Sequence, residues 1–280
     1  MAFGCIYHKL GISDAVAAEM SQPHWELAAQ VVATIDSPFL PRTLAELLRQ
    51  VAPFTYTVMF GYHGSDRPLD LYDDFPPDQR KIFVTDYQAG PYMLDPFFLA
   101  ASRSVAPGLY RLRDMAPDRF YQGEYFRNYY VQTGLAEEVA YFVTLPDHST
   151  LTVSLMRAEK PFSQKDFSAL EAAYPFVAAS ARRHWRGLDQ KLGESGSSRQ
   201  GQQRRLTYNL GNFGEGILTP REREVAEFTL KGHSAESAGQ ILGIAAGTVR
   251  IHRRNIYAKL SINSQGELFS RFLSTIGDPA

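Results

Sequence analysis

The sequence predicts an α+β chain in two parts: an N-terminal α/β/α sandwich with an antiparallel sheet, and a C-terminal domain of four short helices. Between Thr219 and Leu273 the apolar residues recur at helical spacing, broken by glycines and a polar turn. From residue 22 to 185, helical patterns alternate with pairs of β-rich segments. Residues 191–212 are rich in Gly, Ser, Gln and Arg, which predicts a flexible, basic tether between the parts.

The expected elements of the first part follow from local composition. Strands are expected where β-branched and aromatic residues dominate, and helices where apolar residues recur at helical spacing. Ser163 is placed to cap the last helix. In order, the expected elements are helices at 22–35 and 42–51, strands at 54–62 and 69–72, a helix at 76–88, irregular structure with short helices at 90–117, a helix at 122–132, strands at 138–145 and 150–157, and a helix at 163–185.

The second part begins with a strong helix start. Thr219 can accept a hydrogen bond from a backbone N–H, Pro220 suits the first helical position, and Glu222 completes a capping box. A second helix is expected at 234–242. Because only residues 243–244 separate it from a longer basic helix, the pattern is that of a helix-turn-helix.

The longer basic helix has an inward and an outward face. On a helical wheel Val249, Ile256 and Leu260 fall together and are expected to face the core. Arg250 and Arg254 fall opposite, where a helix in the major groove meets base edges. For each arginine alone, a solvated helix face is the alternative. The residues expected to bind DNA are Thr248, Arg250, Ile251 and Arg254, with Arg253 and Lys259 at the flanks to reach phosphates.

These segments resemble the LuxR-type DNA-binding domain. The matching residues are Thr219-Pro220-Arg221-Glu222-Arg223-Glu224-Val225, Gly232, Ser234, Ile241-Leu242, Ile244, Thr248-Val249-Arg250, His252, Asn255-Ile256 and Lys259-Leu260. The resemblance implies a four-helix domain that binds specific DNA sequences as a dimer and regulates transcription. Ala245 departs from the family, which usually has a helix-capping Ser there, and residues 235–238 replace its usual Asn-Lys-Glu-Ile.

The fourth helix offers a surface for a second copy of the chain. A dimer that binds two half-sites needs a symmetric contact. A short domain is not expected to bury all the large apolar residues of the helix at 265–273, which are Leu268, Phe269, Phe272 and Leu273. We therefore expect a homodimer, with the first part of the chain adding to the contact.

A looser resemblance links the first part to sensor domains. The order of its elements is similar to that of PAS-like and GAF-like sensors. Leu94-Asp95-Pro96-Phe97, Tyr110, Phe126 and Gly134-Leu135 resemble the autoinducer-binding domain of LuxR-type quorum regulators. The resemblance implies that Asp95 hydrogen-bonds a ligand amide and that aromatic residues line a pocket. An ordinary turn at Asp95 and a solid aromatic core are the alternatives.

Departures from this second pattern bear on the ligand. The upstream Trp and Tyr of the pattern would fall near Ile82 and Asp86, and Tyr110 takes the place of a Trp. Glu138 holds a position that is usually Gly, with Glu137 beside it. These differences place a carboxylate where an acyl lactone would need close approach and an apolar channel.

Glu138 decides the class of ligand that the sequence favours. A buried carboxylate without a partner favours a cation, and aromatic rings stabilise ammonium groups. We predict a small amine or another cationic metabolite ahead of an acyl-homoserine lactone. The alternative is a structural salt bridge from Arg111, Arg113 or Arg127 to Glu138. The residues expected to bind the ligand are Tyr92, Asp95, Phe97, Tyr110, Phe126, Tyr129, Tyr130 and Glu138.

The sequence argues against an enzyme. A nucleophile elbow, a phosphate loop and a His-Glu-x-x-His motif are missing from it, and no cofactor is expected. Its single cysteine, Cys5, excludes an internal disulfide and a Cys-rich metal site, and it suits a reducing compartment. No apolar run reaches membrane-spanning length, and no export signal begins the chain. We expect a cytoplasmic protein.

Charge is divided unevenly along the chain. The net charge is −1, but acidic residues outnumber basic ones in residues 1–181 and basic residues outnumber acidic ones in 182–280. This division suits a domain that stays off DNA and another that binds it. The expected domains are an N-terminal extension at 1–20, a small-molecule sensor domain at 21–187, a flexible basic linker at 188–215 and a helix-turn-helix domain at 216–280.

The sequence as a whole predicts a ligand-responsive transcriptional regulator. Its expected partners are double-stranded DNA, a small-molecule effector, a second copy of the chain and RNA polymerase, with no membrane. One alternative is a quorum-sensing regulator that binds an acyl-homoserine lactone. Another is a constitutive DNA-binding protein whose first domain only dimerises or contacts a protein, which a solid core would favour over a cavity.

Overall fold

The computed structural model describes residues 22–64, 66–103, 105–131, 134–146, 149–188 and 210–277. The expected N-terminal extension at 1–20 and all but the ends of the expected linker at 188–215 lie outside these residues. Within the described ranges, no helix has the length and apolar content needed to cross a membrane.

The N-terminal part combines strands with short and long helices. The strands are β1 Tyr56–Tyr62, β2 Leu69–Asp73, β3 Gly108–Arg111, β4 Leu135–Thr144 and β5 Thr150–Ala158. The α-helices are α1 Gln22–Ala33, α2 Leu40–Val51, α3 Pro77–Arg80, α4 Pro96–Ser102, α5 Leu112–Met115, α6 Glu124–Tyr129 and α7 Gln164–His184. A π-helical segment, Lys81–Asp86, continues α3, and 3₁₀ turns cover Pro91–Leu94 and Phe120–Gln122.

The strands form a single antiparallel sheet in the order β2-β1-β5-β4-β3. This sheet, with helices on its faces, confirms the predicted fold class. The expectation of irregular structure at 90–117 is wrong in one place, because β3 pairs there with β4. A strand of four residues that follows Pro107 is too short to show the alternation by which strands are recognised.

Helices cover both faces of the sheet. On one face α1, α2 and α7 pack around a core that includes Met59 and Tyr141. On the other face the shorter helices α3 to α6 pack over a second core. Because side chains alternate along a strand, β1 sends Val58, Phe60 and Tyr62 together to this second face. The second face is therefore lined with aromatic side chains under a cover of short helices.

The C-terminal part has the expected helices and turn. They are α8 Pro220–Leu230, α9 Ala235–Leu242, α10 Ala246–Leu260 and α11 Gln265–Gly277. Thr219 and Glu222 form the predicted capping box. Gly243 ends α9 in the left-handed conformation with φ of 66°. Ala245 gives α10 no side-chain cap. The arrangement confirms a helical domain with a helix-turn-helix.

The apolar residues of α11 are buried within the chain, contrary to expectation. Leu268, Phe269 and Phe272 are buried, and Leu273 is partly buried. The Phe272 ring meets Phe213 edge to face at 5.8 Å between centroids. The α11 surface assigned to a second copy of the chain is thus already used, because contacts from outside the four helices complete this core.

Gly239 permits the close packing of α9 against the turn that follows it. A Cβ at this position would lie 2.7 Å from the Ile244 backbone oxygen, whereas a Cβ at Gly247 would meet nothing within 4 Å. Gly239→Ala is therefore expected to lower the free energy of unfolding by roughly 1–3 kcal/mol. Gly247→Ala, the matched control inside α10, is expected to be neutral or to stabilise by up to about 1 kcal/mol. Urea unfolding measures both, and equal stability of the two variants would contradict this account.

Candidate ligand cavity and nucleic-acid interface

A small cavity lies between the second face of the sheet and the short helices, with a volume of about 30 Å³. Its walls are mostly aromatic and aliphatic, with two carboxyl groups among them. The lining residues are Val58, Phe60 and Tyr62 from β1, Glu138 from β4, Ser154 and Met156 from β5, and Ile82, Phe83, Tyr87, Asp95, Phe97, Tyr125 and Tyr130 from the helical layer. The cavity is about the size of a single water molecule, so a ligand has to enlarge it.

Glu138 brings a carboxyl group into this cavity from β4, an inner strand of the sheet. It is 5% exposed, and its Oε2 atom accepts a hydrogen bond of 2.7 Å from the Tyr130 hydroxyl. Burial raises the pKa of Glu138 to about 8, and the nearby Asp95 adds to the rise. Hydrogen bonds from Tyr130 and Ser154 oppose the shift without cancelling it. The carboxyl therefore holds a proton near neutral pH until a positive charge comes close.

Asp95 supplies the second carboxyl group and also begins a helix. Its Oδ1 atom accepts a hydrogen bond from the Phe97 amide at 2.9 Å, which caps α4. Its Oδ2 atom accepts a hydrogen bond of 2.7 Å from the Tyr87 hydroxyl. Burial raises the pKa of Asp95 to about 6, against the effect of these two bonds. Asp95 is thus both the turn residue and a cavity residue.

The three arginines near Glu138 in the sequence, Arg111, Arg113 and Arg127, contact other carboxylates. Arg111 binds Glu137 at 2.7 Å, and Arg113 lies 3.5 Å from the same residue. Arg127 binds Glu124 at 3.2 Å. Among the described residues, no lysine, arginine or histidine forms an ion pair with either cavity carboxyl. The structural salt bridge to Glu138 is therefore not formed.

Stability is expected to depend on pH through the cavity carboxyls. A raised folded-state pKa contributes stability that is complete below the unfolded pKa and is lost as pH rises through the folded value. For Glu138 this window runs from 4.5 to about 8, and the slope is at most about 1.4 kcal/mol per pH unit. Glu138→Gln should therefore gain stability over the ligand-free wild type as pH rises. Denaturant titrations at the two ends of the window measure this gain. If the free energies of unfolding of variant and wild type differ by the same amount at both pH values, the raised pKa is contradicted.

The predicted ligand residues do not all reach the cavity. Asp95, Phe97, Tyr130 and Glu138 line it. Phe126 lies behind Tyr130, with the rings stacked at 5.4 Å. The other three have different surroundings: Tyr92 is fully buried against Phe98, Tyr110 is on β3 with its hydroxyl bonded to the Ala106 carbonyl, and the Tyr129 side chain lies outside what the structure describes.

Sequence reasoning missed the tyrosines that complete the cavity. Tyr62 shares a face with Val58 and Phe60, so the alternation along β1 was a signal for it. Tyr87 follows Asp86, the position near which the resemblance places a tyrosine. The hydroxyl oxygens of Tyr62 and Tyr87 lie 3.4 Å apart, and Tyr87 continues the contact to Asp95.

The outward face of α10 presents the residues expected to read DNA. Val249, Ile256 and Leu260 are buried, as the helical wheel predicts. Thr248, Arg250, Ile251 and Arg254 are exposed. Arg250 forms an ion pair with Glu236 of α9, whereas Arg254 has no ion pair or hydrogen bond within the described chain. Arg254 is therefore the freer of the two arginines to meet a base.

Arg253 and Lys259 both contact their own domain, although Lys259 is also exposed to solvent. Arg253 Nε donates to the Thr229 hydroxyl at 3.0 Å, and its Nη2 atom donates to the His233 carbonyl at 2.7 Å. Lys259 Nζ lies 2.6 Å from Glu222, the buried carboxylate of the capping box. These contacts tie α10 to α8 and to the turn before α9. Phosphate binding by either residue stays a prediction.

Known proteins resemble both the C-terminal part and most of the chain. Residues 216–272 match the family described as "Bacterial regulatory proteins, luxR family". A "Putative HTH-type transcriptional regulator in exeN 3'region" from Aeromonas salmonicida is 32% identical over 184 residues, which are 64% of this chain and 93% of that protein. The "Monoamine regulon transcriptional regulator" of Klebsiella aerogenes is 22% identical over 246 residues, which are 88% of this chain and 95% of that protein.

The first domain also resembles a solved structure. The crystal structure of the VqsR LBD domain from Pseudomonas aeruginosa superposes with a TM-score of 0.52 and 27% identity, over 59% of this chain and 97% of that one. The relatives are transcriptional regulators and not enzymes, as the sequence predicts. The chain belongs to the LuxR family of helix-turn-helix transcriptional regulators, with an N-terminal sensor domain of the autoinducer-binding-like fold.

Proposed function

We propose that this regulator responds to a small amine, or to another compact cation, bound in the cavity of its sensor domain. The observation that carries the proposal is the pair of buried carboxyls, Asp95 and Glu138, with no basic partner within the described chain. Burying an ionised carboxylate without a counter-charge costs several kcal/mol. An ammonium group in the cavity would supply that counter-charge. Its binding is therefore favoured by electrostatic attraction to carboxylates that have no other cationic partner within the described chain.

The aromatic walls strengthen the case for a cation. Phe60, Tyr87 and Tyr130 line the same space as the two carboxyls. An ammonium group near an aromatic face gains about 0.5–2 kcal/mol, with the larger values in sites removed from water. A cavity that combines carboxyls with aromatic faces therefore favours an ammonium group with an apolar or aromatic body.

The dimensions and charge of the cavity weigh against an acyl-homoserine lactone. At about 30 Å³ it is small, so any ligand must displace side chains to enter, and a compact one displaces fewest. An acyl chain would also lie against carboxyls without supplying a charge to them. The Klebsiella aerogenes relative is a monoamine regulon transcriptional regulator, which supports an amine as the ligand.

Thermal-shift and calorimetric measurements with matched probes test the proposal. Benzylamine, phenethylamine and ethylamine are compared with benzyl alcohol, which matches benzylamine in shape but has no charge, and with a series of acyl-homoserine lactones. We expect stabilisation by an amine and none by the alcohol. Stabilisation by lactones alone, or equal stabilisation by benzylamine and benzyl alcohol, would reject it. A protein that none of these compounds stabilises would favour the constitutive DNA-binding alternative.

The output of the regulator is proposed to be operator binding through α10. The exposed Thr248, Arg250, Ile251 and Arg254 present hydrogen-bond donors and an apolar side chain to the major groove. Two-fold operators need two copies of the domain, so we propose a homodimer on DNA, with a contact surface other than the apolar face of α11. Light scattering with and without operator DNA would detect the dimer, and a 1:1 complex would exclude it.

A further inference from the structure

A second and larger cavity lies within the DNA-binding domain. Its volume is about 300 Å³, compared with about 30 Å³ for the sensor cavity. This volume is at the lower end of the range of roughly 300–1,000 Å³ that small-molecule sites occupy. One wall is the segment that leads into α8, and the other is formed by the end of α10 and by α11. We call this space the α11 pocket. The lining residues that bear on a ligand are Asn212, Phe213, Glu215, Ile217, Leu260 and Arg271.

The α11 pocket has apolar walls. Phe213 and Leu260 are buried in the domain and line the pocket, whereas Ile217 lines it and is 49% exposed. Gly214 fixes the turn that leaves Ile217 there. Its φ is +76°, and its carbonyl accepts hydrogen bonds from the Ile217 and Leu218 amides at 3.0 and 2.8 Å. An apolar body in the pocket would remove the Ile217 side chain from water, which favours its binding.

Arg271 brings a positive charge to the α11 pocket. It is exposed on α11, and its side chain forms no ion pair or hydrogen bond within the described residues. A guanidinium group presents parallel N–H donors that match the two oxygens of a carboxylate. Arg271 can therefore bind an anion without first breaking a contact of its own.

A second arginine lies behind the wall of the α11 pocket. The Arg223 Nη1 atom donates to Asn212 Oδ1 at 3.4 Å, and Asn212 lines the pocket. The Arg223 Nε atom is buried without a hydrogen-bond partner, and no carboxylate of the described chain forms an ion pair with this arginine. Glu215 adds one negative charge to the lining. The charges of Arg223, Arg271 and Glu215 together leave the pocket positive.

We propose that the α11 pocket binds an organic acid, namely a carboxylate on a compact apolar or aromatic body. The carboxylate pairs with Arg271, and the body covers Phe213, Ile217 and Leu260. Leu260 is the last residue of α10, so a ligand in the pocket touches the helix that presents the DNA-reading residues. This site lies apart from the sensor cavity and takes a ligand of opposite charge. It therefore does not depend on the function proposed above.

Methyl NMR of the full chain, labelled at isoleucine, tests the site. Ile217 lines the α11 pocket and Ile82 lines the sensor cavity, so one spectrum observes each site separately. The probes are phenylacetate and phenethyl alcohol, in which a neutral alcohol replaces the carboxylate. We expect phenylacetate to shift the Ile217 methyl signal saturably, and to bind roughly tenfold or more tightly than the alcohol. Absence of a saturable Ile217 shift, or equal affinities for acid and alcohol, would overturn the proposal.

Variants with opposite changes in charge identify the group that holds the ligand. Arg271→Gln should weaken phenylacetate binding roughly tenfold or more, because a charged hydrogen bond is lost. Glu215→Gln should strengthen it, because a nearby negative charge is removed. Arg254→Gln, which removes an exposed arginine outside the pocket, should bind phenylacetate as wild type does. Reversed effects at positions 215 and 271, or equal losses in Arg271→Gln and Arg254→Gln, would refute recognition of a carboxylate by Arg271.

A second copy of the chain is the competing occupant of the α11 pocket. Dilution of the protein without phenylacetate separates the two, because only a contact between copies depends on protein concentration. We expect the Ile217 signal to stay constant on dilution. A shift on dilution, together with a matching fall in mass by light scattering, would make the pocket an interface between copies and reject the organic acid.

Discussion

Replacing Glu138 by Gln is expected to weaken amine binding by roughly 10- to 150-fold, the range for losing a hydrogen bond to a charged group. The substitution preserves size and leaves an oxygen that can accept from Tyr130, but it removes the charge that the ammonium neutralises. Isothermal titration calorimetry of wild type and variant with benzylamine at about pH 8, where the Glu138 carboxyl is about half ionised, measures the loss.

Glu137→Gln is the matched control, because this neighbour on β4 faces the opposite side of the sheet. Glu137 binds the buried Arg111 and accepts a hydrogen bond of 2.7 Å from the Phe162 amide. Its replacement should lower the free energy of unfolding by roughly 3–5 kcal/mol, since Arg111 is left buried without its carboxylate. Amine affinity should be retained. Equal amine affinity in Glu138→Gln and wild type would remove Glu138 from the site.

Arg254→Ala is expected to cost roughly 1–3 kcal/mol of specific DNA binding, the value of a good bidentate base contact. Its side chain is exposed on α10 and forms no ion pair or hydrogen bond within the described residues, so nothing has to be broken before it meets a base. Arg250→Ala should cost less, because Arg250 must first leave Glu236.

Competition binding between the selected operator and random DNA measures the effect as a ratio of specific to non-specific affinity. Arg271→Ala serves as control, since it removes an exposed arginine of the same domain from α11. The control should change overall affinity and leave the ratio unchanged. A ratio for Arg254→Ala equal to that of wild type would show that Arg254 does not read a base.

Local patterns predicted most of the fold. The burial of Val249, Ile256 and Leu260 follows from helical periodicity, and the capping box at Thr219 follows from its spacing to Glu222. Both signals come from residues of one short segment, so they can be recognised without knowing what that segment packs against. The strands β1, β2, β4 and β5 were predicted for the same reason, whereas the short edge strand β3 has too few residues to carry such a signal.

Partners distant in sequence decided what local patterns could not. Arg253 has the periodicity of a flanking residue, yet the His233 carbonyl, twenty positions away, draws it inward. Glu137 and Glu138 are adjacent, but only Glu137 forms an ion pair with Arg111, and Glu138 lines the cavity. The pairing of β3 with β4 determines this difference, because it places Arg111 beside Glu137. The departure at Glu138 could be read from the sequence, but the tyrosines that surround it depend on how the helices cover the sheet.

The adjacent carboxyls of β4 have an evolutionary consequence. Because they lie on opposite faces of one strand, position 138 can change without disturbing the bridge between Arg111 and Glu137 that supports the fold. A single base change converts a Glu codon into a Gly codon, and Gly is what the resemblance places at 138. That mutation would remove the charge and open space beside Tyr130 at once. The preference of the sensor for charged or neutral effectors can therefore diverge between lineages in one mutational step.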